Sequence, residues 1–319
     1  MREFRKDYIL NRWVLINTDR SKRPSEYKRE REKPTKGICP FCPGNEHLTP
    51  PEIERIEKGG KWIMRVVPNK YPAVRLDEDW KIKKANHFFT HSSAFGKHEV
   101  IIETPKHDEQ LADFSVEGIK MLLELYIKRF KAISRDKRIK QIAIFKNEGR
   151  EAGCSLSHPH TQIIAYNRLA NAIDEKMKAA EAYKREYGKC PYCEIIKIEK
   201  KGPRAVYEND SVFTYAPYAS RFAFEVRITP KKHINRITEL SEKQLLDLAE
   251  AIKFILVRLK KLNAPYNMYF RNAPEGRELH FHVKINPRIL SWGGFEYETD
   301  CVINTVSPED AAKYYRGEK

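Results

Sequence analysis

Residues 98–107 read HEVIIETPKH, and residues 224–233 read FEVRITPKKH. Both stretches are apolar and β-branched and then stop at a proline-containing turn and a histidine, as a strand does on entering a turn. Eight residues after each histidine, at Ser115 and Ser241, stands a residue suited to open a long amphipathic helix. Ser241 and Gln244 have capping-box spacing, and Phe114 and Leu240, one residue before the caps, are placed to staple the first turn. Helical periodicity predicts burial of Ile119, Leu122, Leu123, Tyr126 and Phe130 in the first helix, and of Leu245, Leu248, Ile252, Ile255 and Leu259 in the second. A further strand follows each helix, QIAIFKN (141–147) and YNMYFRN (266–272). After it come paired histidines, His158-Pro159-His160-Thr161-Gln162 and His280-Phe281-His282-Val283-Lys284.

The repeat also runs upstream, to Cys39-Pro40-Phe41-Cys42 in the first copy and Cys190-Pro191-Tyr192-Cys193 in the second. Landmarks recurring in one order predict an α+β fold. It consists of two tandem halves, residues 1–170 and 171–319, each a largely antiparallel sheet with a long packing helix. Residues 171–189, rich in Ala, Glu and Lys, read as a helix joining them.

With 319 residues and 41% hydrophobic content the chain can bury two cores of ordinary size. The first twenty residues carry scattered charges and no apolar run of signal length, and no stretch reaches the length of a membrane span. The expectation is a soluble, cytoplasmic protein with no membrane partner. Charged residues make up 33%, a composition that fits the ion-pair-rich surface of a thermophile. The net charge of +16 suits anionic substrates such as sugar phosphates as well as nucleic acid.

Four of the six cysteines form the two CxxC pairs. Two-residue spacing lets both thiolates of a pair enter one tetrahedron, and two histidines from elsewhere close it. The repeat selects His107 and His158 for the first site, and His233 and His280 for the second. A dithiol redox pair of the thioredoxin kind would need a βαβ context that is absent. The reading is two closed, structural zinc sites per chain.

On a strand His158 and His160 would share a face, so one can ligate metal while the other meets a ligand. A neutral imidazole is a nucleophile toward phosphorus when its second nitrogen is held by a hydrogen bond, and a carbonyl near Pro159 could hold it. The preceding loop, residues 148–155, contains Gly149 and Gly153 and could bring backbone N–H groups to a phosphate. Gln162 shares the His160 face and offers an amide donor. A basic zinc-ribbon protein binding nucleic acid is the rival reading. Against it, the matching histidines lie 40 or more residues from their cysteines, on strands rather than on a compact finger helix.

With these residues in view, the chain resembles the galactose-1-phosphate uridylyltransferase family of the histidine-triad superfamily. DRSKRPSEY, with Arg20 and Arg23, resembles its N-terminal nucleotide contact, and CPFCPGNE its zinc loop. Asn69-Lys70-Tyr71-Pro72 resembles the base-and-ribose loop. FKNEGREAGCSLSHPHTQ resembles the active-site segment, with Asn147, Gly153, Cys154, Ser155, His160 and Gln162. GFEYETDCVINTVSPEDAA, with Phe295 and Glu296, resembles the C-terminal segment. The resemblance implies two halves sharing one extended sheet, and a homodimer with substrate groups supplied across the interface. It implies that His160 attacks the α-phosphorus of UDP-glucose and then passes UMP to galactose 1-phosphate, while Gln162 holds the phosphoryl group. His282 would match His160, but Phe281 and Lys284 replace Pro159 and Gln162, so the second half is expected to be a scaffold with hexose-side contacts. Two features depart from some members: Val302 stands near where they carry a hexose-contacting glutamine, and they lack a second CxxC. These features are closer to the branch that includes plant ADP-glucose phosphorylase, leaving an adenylyl-specific enzyme as the alternative.

Overall fold

The computed structural model describes residues 1–20, 27 and 37–318. Strands β1 (Arg2–Lys6) and β2 (Trp13–Asn17) pair near the N-terminus. The first half continues with β3 (Glu54–Lys58), β4 (Lys61–Pro68), the short pair β5 (Lys83–Lys84) and β6 (Thr90–His91), β7 (Gly96–Ile102), helix α1 (Val116–Ile133), β8 (Gln141–Glu148) and β9 (His160–Tyr166). The second half has α2 (Asn171–Tyr187), α3 (Pro191–Glu199), β10 (Ala205–Glu208), β11 (Val212–Tyr215) and β12 (Val226–Pro230). It then has α4 (Glu242–Lys261), β13 (Tyr266–Arg271) and β14 (His282–Pro287). The chain finishes with α5 (Gly294–Thr299), β15 (Val302–Asn304), which lies parallel to β2, and α6 (Pro308–Arg316).

Ten strands form one sheet in the order β10-β11-β12-β14-β13-β8-β9-β7-β4-β3. Every ladder in it is antiparallel. Read outward from the β13–β8 contact, the two halves have the same strand order, so the repeat in the sequence is a repeat in space. The ladders also refine its register. Gln162 faces Val100, and Lys284 faces Arg227, so Arg227 takes the place of Val100. The second copy therefore reaches its histidine one residue sooner.

Helices α1 and α4 pack together and cover one face of this sheet. Ser115 Oγ accepts from Gly118 N–H, and Ser241 and Gln244 complete the expected reciprocal box. All ten apolar positions predicted on the two helices are buried in the main core, which Phe114 joins, while Leu240 packs at its edge. Burial of each such side chain stabilises the fold by about 1.5–3 kcal/mol.

Two local expectations change. The linking helix stops at Tyr187 because Gly188 adopts a left-handed cap, φ 70°, and α3 then starts at Pro191 within the second CxxC. His158 lies ahead of β9 rather than on it. Pro159 has no N–H to give the ladder; its carbonyl accepts from Glu103 N–H at 3.2 Å, and regular pairing begins at His160. No helix among the described residues is long and apolar enough to cross a membrane.

Candidate active site

The register of β9 sorts its side chains. Thr161, Ile163 and Ala165 point into the helix-covered core, each fully buried, which puts His160 and Gln162 on the opposite face. Thr161 is held there by Tyr126 Oη of α1 at 2.6 Å and donates to Glu103 at 2.6 Å. Glu103 in turn receives Lys146 Nζ at 2.9 Å, and Glu148 lies 3.3 Å from the same ammonium. Lys146 is also 3.5 Å from the His160 carbonyl. A buried ionic network thus anchors the start of β9 from below. The Lys146 ammonium is held above the usual lysine range because the charges of Glu103 and Glu148 outweigh its burial.

His160 Nδ1 lies 2.9 Å from the carbonyl of His158, which accepts its proton and leaves Nε2 with a lone pair. The Phe41 ring packs against the imidazole, centroid to centroid 5.5 Å. Burial pulls His160 down to about 4, and the charge of Lys146 acts in the same direction, so the ring is neutral at neutral pH. It lines a cleft of about 1000 Å³ together with His107, His158, Asn147, Cys154 and Ser155.

Part of the glycine loop closes on itself. Gly149, φ 82°, and Gly153, φ 85°, turn the chain so tightly that the N–H groups of Ala152, Gly153 and Cys154 are taken by carbonyls of the loop itself. Side chains line the cleft. Asn147 Oδ1 accepts from Asn267 Nδ2 at 2.9 Å, and Asn267 also donates to the Ala152 carbonyl at 2.7 Å. Cys154 Sγ donates to the Leu156 carbonyl at 2.9 Å, and burial raises its thiol above the usual range.

Gln162 is oriented by a residue without a role in the sequence reading. His98 Nδ1 accepts from Ala73 N–H at 3.1 Å, which puts the ring proton on Nε2, and Nε2 donates to Gln162 Oε1 at 2.9 Å. The Gln162 amide donor is thereby turned away from His98 and left for another partner. Asn69 joins this group: its N–H bonds the His98 carbonyl at 2.8 Å, and its side-chain oxygen accepts from Tyr71 N–H. Lys70 is exposed beside it. Phe295 and Glu296 sit on α5, away from this cleft; Glu296 accepts from Gly293 N–H at 2.9 Å. Arg20 is described in backbone alone, and Arg23 lies outside the described residues.

The predicted metal sets assemble. The ligand atoms of Cys39, Cys42, His107 and His158 lie within 4.8 Å of one another, as do those of Cys190, Cys193, His233 and His280. A tetrahedral zinc, with sulfur at about 2.3 Å and nitrogen at about 2.0–2.1 Å, requires sulfur–nitrogen separations of about 3.6 Å. Cys42 lies 3.3 Å from His107 Nδ1 and 3.6 Å from His158 Nδ1, and Cys39 lies 3.7 Å from His158 Nδ1. In the second set Cys193 is 3.6 Å from His233 Nδ1 and 3.5 Å from His280 Nδ1. The outer nitrogens are held as metal-bound imidazoles usually are. His158 Nε2 lies 2.7 Å from the Thr104 carbonyl, and His280 Nε2 lies 2.9 Å from that of Pro230. His107 Nε2 lies 3.0 Å from Ser157 Oγ, and His233 Nε2 faces Glu278 at 3.4 Å. Both groups fit a closed four-ligand ion.

Sequence reasoning missed His98, Lys146, Phe41 and Asn267. For Phe41 a signal was available, because the second knuckle repeats an aromatic at the same place, Tyr192. The other three act through contacts between strands far apart in sequence.

The family model for the N-terminal domain of galactose-1-phosphate uridyl transferase matches residues 1–170. ADP-glucose phosphorylase of Arabidopsis thaliana is 34% identical, covering 98% of this chain and 92% of that protein. Galactose-1-phosphate uridylyltransferase of Thermotoga maritima is 32% identical, covering 99% and 98%. The crystal structure of the Arabidopsis thaliana ADP-glucose phosphorylase with bound ADP-glucose superposes with a TM-score of 0.85, at 33% identity and full coverage of both chains. Architecture, histidine cleft and similarity over nearly the whole length agree: the chain belongs to the galactose-1-phosphate uridylyltransferase family of nucleotidyltransferases.

Proposed function

We propose that this protein transfers the uridylyl group of UDP-glucose to galactose 1-phosphate through His160. The observation that carries this is the His160 imidazole itself, which is neutral, bound at Nδ1 by the His158 carbonyl and set in a cleft of about 1000 Å³. In the first step Nε2 bonds to the α-phosphorus. The bond from that phosphorus to the bridging oxygen breaks, and glucose 1-phosphate leaves with the electron pair. In the second step a phosphate oxygen of galactose 1-phosphate attacks the same phosphorus and returns the pair to Nε2. The covalent intermediate predicts ping-pong kinetics. Gln162, turned by His98, donates to a non-bridging oxygen; Asn147, Ser155 and Cys154 line the phosphoryl site, with Gly153 shaping their loop. Asn69, Lys70, Arg20 and Arg23 are assigned to the nucleotide, and Phe295 and Glu296 to a hexose. Residues 1–170 carry the chemistry and residues 171–319 support it.

Zinc in both Cys2His2 groups would tie the knuckles to the sheet, and its thiolate ligands suit the reducing cytoplasm. A homodimer is supported by Tyr71, Trp80, Ile82, Phe88 and Phe89, large apolar side chains all exposed within residues 71–89. It would bring α5 of one subunit to its partner's cleft, and sedimentation at half the dimer mass would remove it.

A second reading has a specific observation behind it: the 34% identical relative is an ADP-glucose phosphorylase. In that reading His160 takes AMP from ADP-glucose and inorganic phosphate accepts it. One experiment separates the readings. The protein is incubated with UDP-glucose or ADP-glucose labelled at the α-phosphate, and the acid-labile, base-stable adduct is counted. Label from UDP-glucose, absent in His160→Ala, is the expected result. Label from ADP-glucose alone would replace the uridylyl reading with the adenylyl one, and no label from either would remove the covalent histidine.

A further inference from the structure

The second half contains a counterpart of the His160 site that has exchanged nucleophilic chemistry for positive charge. His282 is built like His160. Its Nδ1 lies 2.9 Å from the His280 carbonyl, and Tyr192 packs on its ring at 5.4 Å as Phe41 packs on His160 at 5.5 Å. The Glu225–Lys284 ion pair, 2.6 Å, takes the place of the His98–Gln162 hydrogen bond. Arg271 lies directly opposite His282 on β13, and Arg227 directly opposite Lys284 on β12. These side chains share one sheet face, beneath α2, α3 and Tyr8–Ile9.

Several polar atoms lie buried there unused: the arginine nitrogens and the threonine hydroxyl can donate, while His282 Nε2 carries a lone pair because the His280 carbonyl takes the ring proton at Nδ1. His282 Nε2, Arg227 Nε, Arg271 Nε and Thr229 Oγ1 are buried and have no hydrogen-bond partner among the described residues. His282 and Thr229 are fully buried, and Arg227 is 4% exposed. Leaving one such group unpaired costs about 1–3 kcal/mol, more when it is charged. Lys176, on α2, adds a fourth basic group beside Arg227, Arg271 and Lys284. Its own burial and then those three charges hold it well below the usual lysine range. The nearby carboxylates are Glu225, committed to Lys284, and Asp7, which faces Arg227 and Lys176. Glu199 is committed to Arg204. Arg227, Arg271 and Lys284 therefore outnumber the carboxylates, and Lys176 can add a further positive charge by taking up a proton.

We propose that this cluster binds a small tetrahedral oxyanion, inorganic phosphate or a compact phosphomonoester, held by Arg227, Arg271, Thr229 and Lys176. The size follows from the strands: donors on three neighbouring strands span about 10 Å, enough for one phosphate group and its hydrogen bonds but not for a nucleotide. An oxyanion also offsets the positive charge gathered there and favours protonation of Lys176. The site is separate from the His160 cleft and does not depend on the transfer reaction proposed there.

Inorganic phosphate is the probe. Protein prepared in phosphate-free buffer is equilibrated with labelled orthophosphate and the bound label counted for the native chain, His160→Ala, Arg227→Met and Arg271→Met. Two metals per chain and an unchanged far-ultraviolet spectrum serve as the folding control. The native chain and His160→Ala are expected to keep a saturable site of about one phosphate per chain, and both arginine variants to weaken it at least tenfold, as loss of a charge-assisted partner does. Crystals of the native protein soaked in tungstate should give an anomalous peak beside Tyr192, a readout that needs no variant. Phosphate lost in His160→Ala but kept in Arg227→Met, or a tungstate peak in the His160 cleft alone, would overturn the proposal.

Discussion

Replacing Lys146 by methionine tests whether the buried network below His160 governs the stability of the first half. Lys146 is 1% exposed, and its ammonium is 2.9 Å from Glu103 and 3.3 Å from Glu148. Glu148 is partly exposed and water can solvate it, but Glu103 is 1% exposed and, among the described residues, keeps the Thr161 hydroxyl at 2.6 Å as its remaining side-chain partner, besides whatever proton it captures. Removing one partner of such a pair costs about 3–5 kcal/mol, because a charge remains buried without compensation. At an unfolding entropy of about 2.1 cal/mol/K per residue, a chain of this length should lose roughly 4–8 °C in Tm. The assay is guanidinium and thermal unfolding with metal present, for the native chain, Lys146→Met, Glu103→Leu and the double variant. The double variant should recover a large part of the loss, since both charges leave together. The reasoning fails if Lys146→Met lies within about 1 kcal/mol of the native chain, or if the double variant is less stable than Lys146→Met.

Three other perturbations have definite outcomes. His98→Ala removes the donor that orients Gln162, so kcat should fall by about 10–100-fold with KM little changed, short of the 10²–10³ for losing a transition-state donor outright; an unaltered kcat would mean Gln162 is held some other way. Gly96→Ala puts a Cβ 2.0 Å from the Ala165 carbonyl oxygen and 2.9 Å from Val74, so β7 and β9 must separate; a loss of about 3 kcal/mol or more is expected, and a loss under 1 kcal/mol would show that the ladder yields. Metal analysis should find two ions per chain, and a chelator should unfold the protein in step with their removal; full stability with both ions gone would deny them a structural role.

The strand–helix alternation, the caps at Ser115 and Ser241 and both metal sets were legible because each rests on short-range spacing or on comparing the two copies. The phase of β9 was legible as well, since alternation assigns Thr161 and Ile163 to one face and Gln162 to the other. What was not legible depends on register between distant strands. His98 meets Gln162 only because β7 pairs with β9 in one particular alignment. Lys146, a charged residue on a strand, reads as solvent-facing until Glu103 is known to lie beneath it. The inner bonding of the loop at Gly149 is hidden for a related reason: glycine permits close approach to a phosphate, but spacing alone does not tell which N–H groups the loop's own carbonyls take.

The β13–β8 contact has a further consequence. If two identical chains met along this edge, each substitution would appear twice and every pair across the seam would have to tolerate its mirror image. In one continuous chain the seam need not be self-complementary. Asn267 supports Asn147 and the loop carbonyl of Ala152, while Arg271, on the same strand, stands opposite His282 of its own copy. Within one chain each copy can specialise while the two stay at fixed stoichiometry and high effective concentration. Separating the halves would therefore cost more than an interface: the copy carrying His160 would lose the side chain that braces its loop.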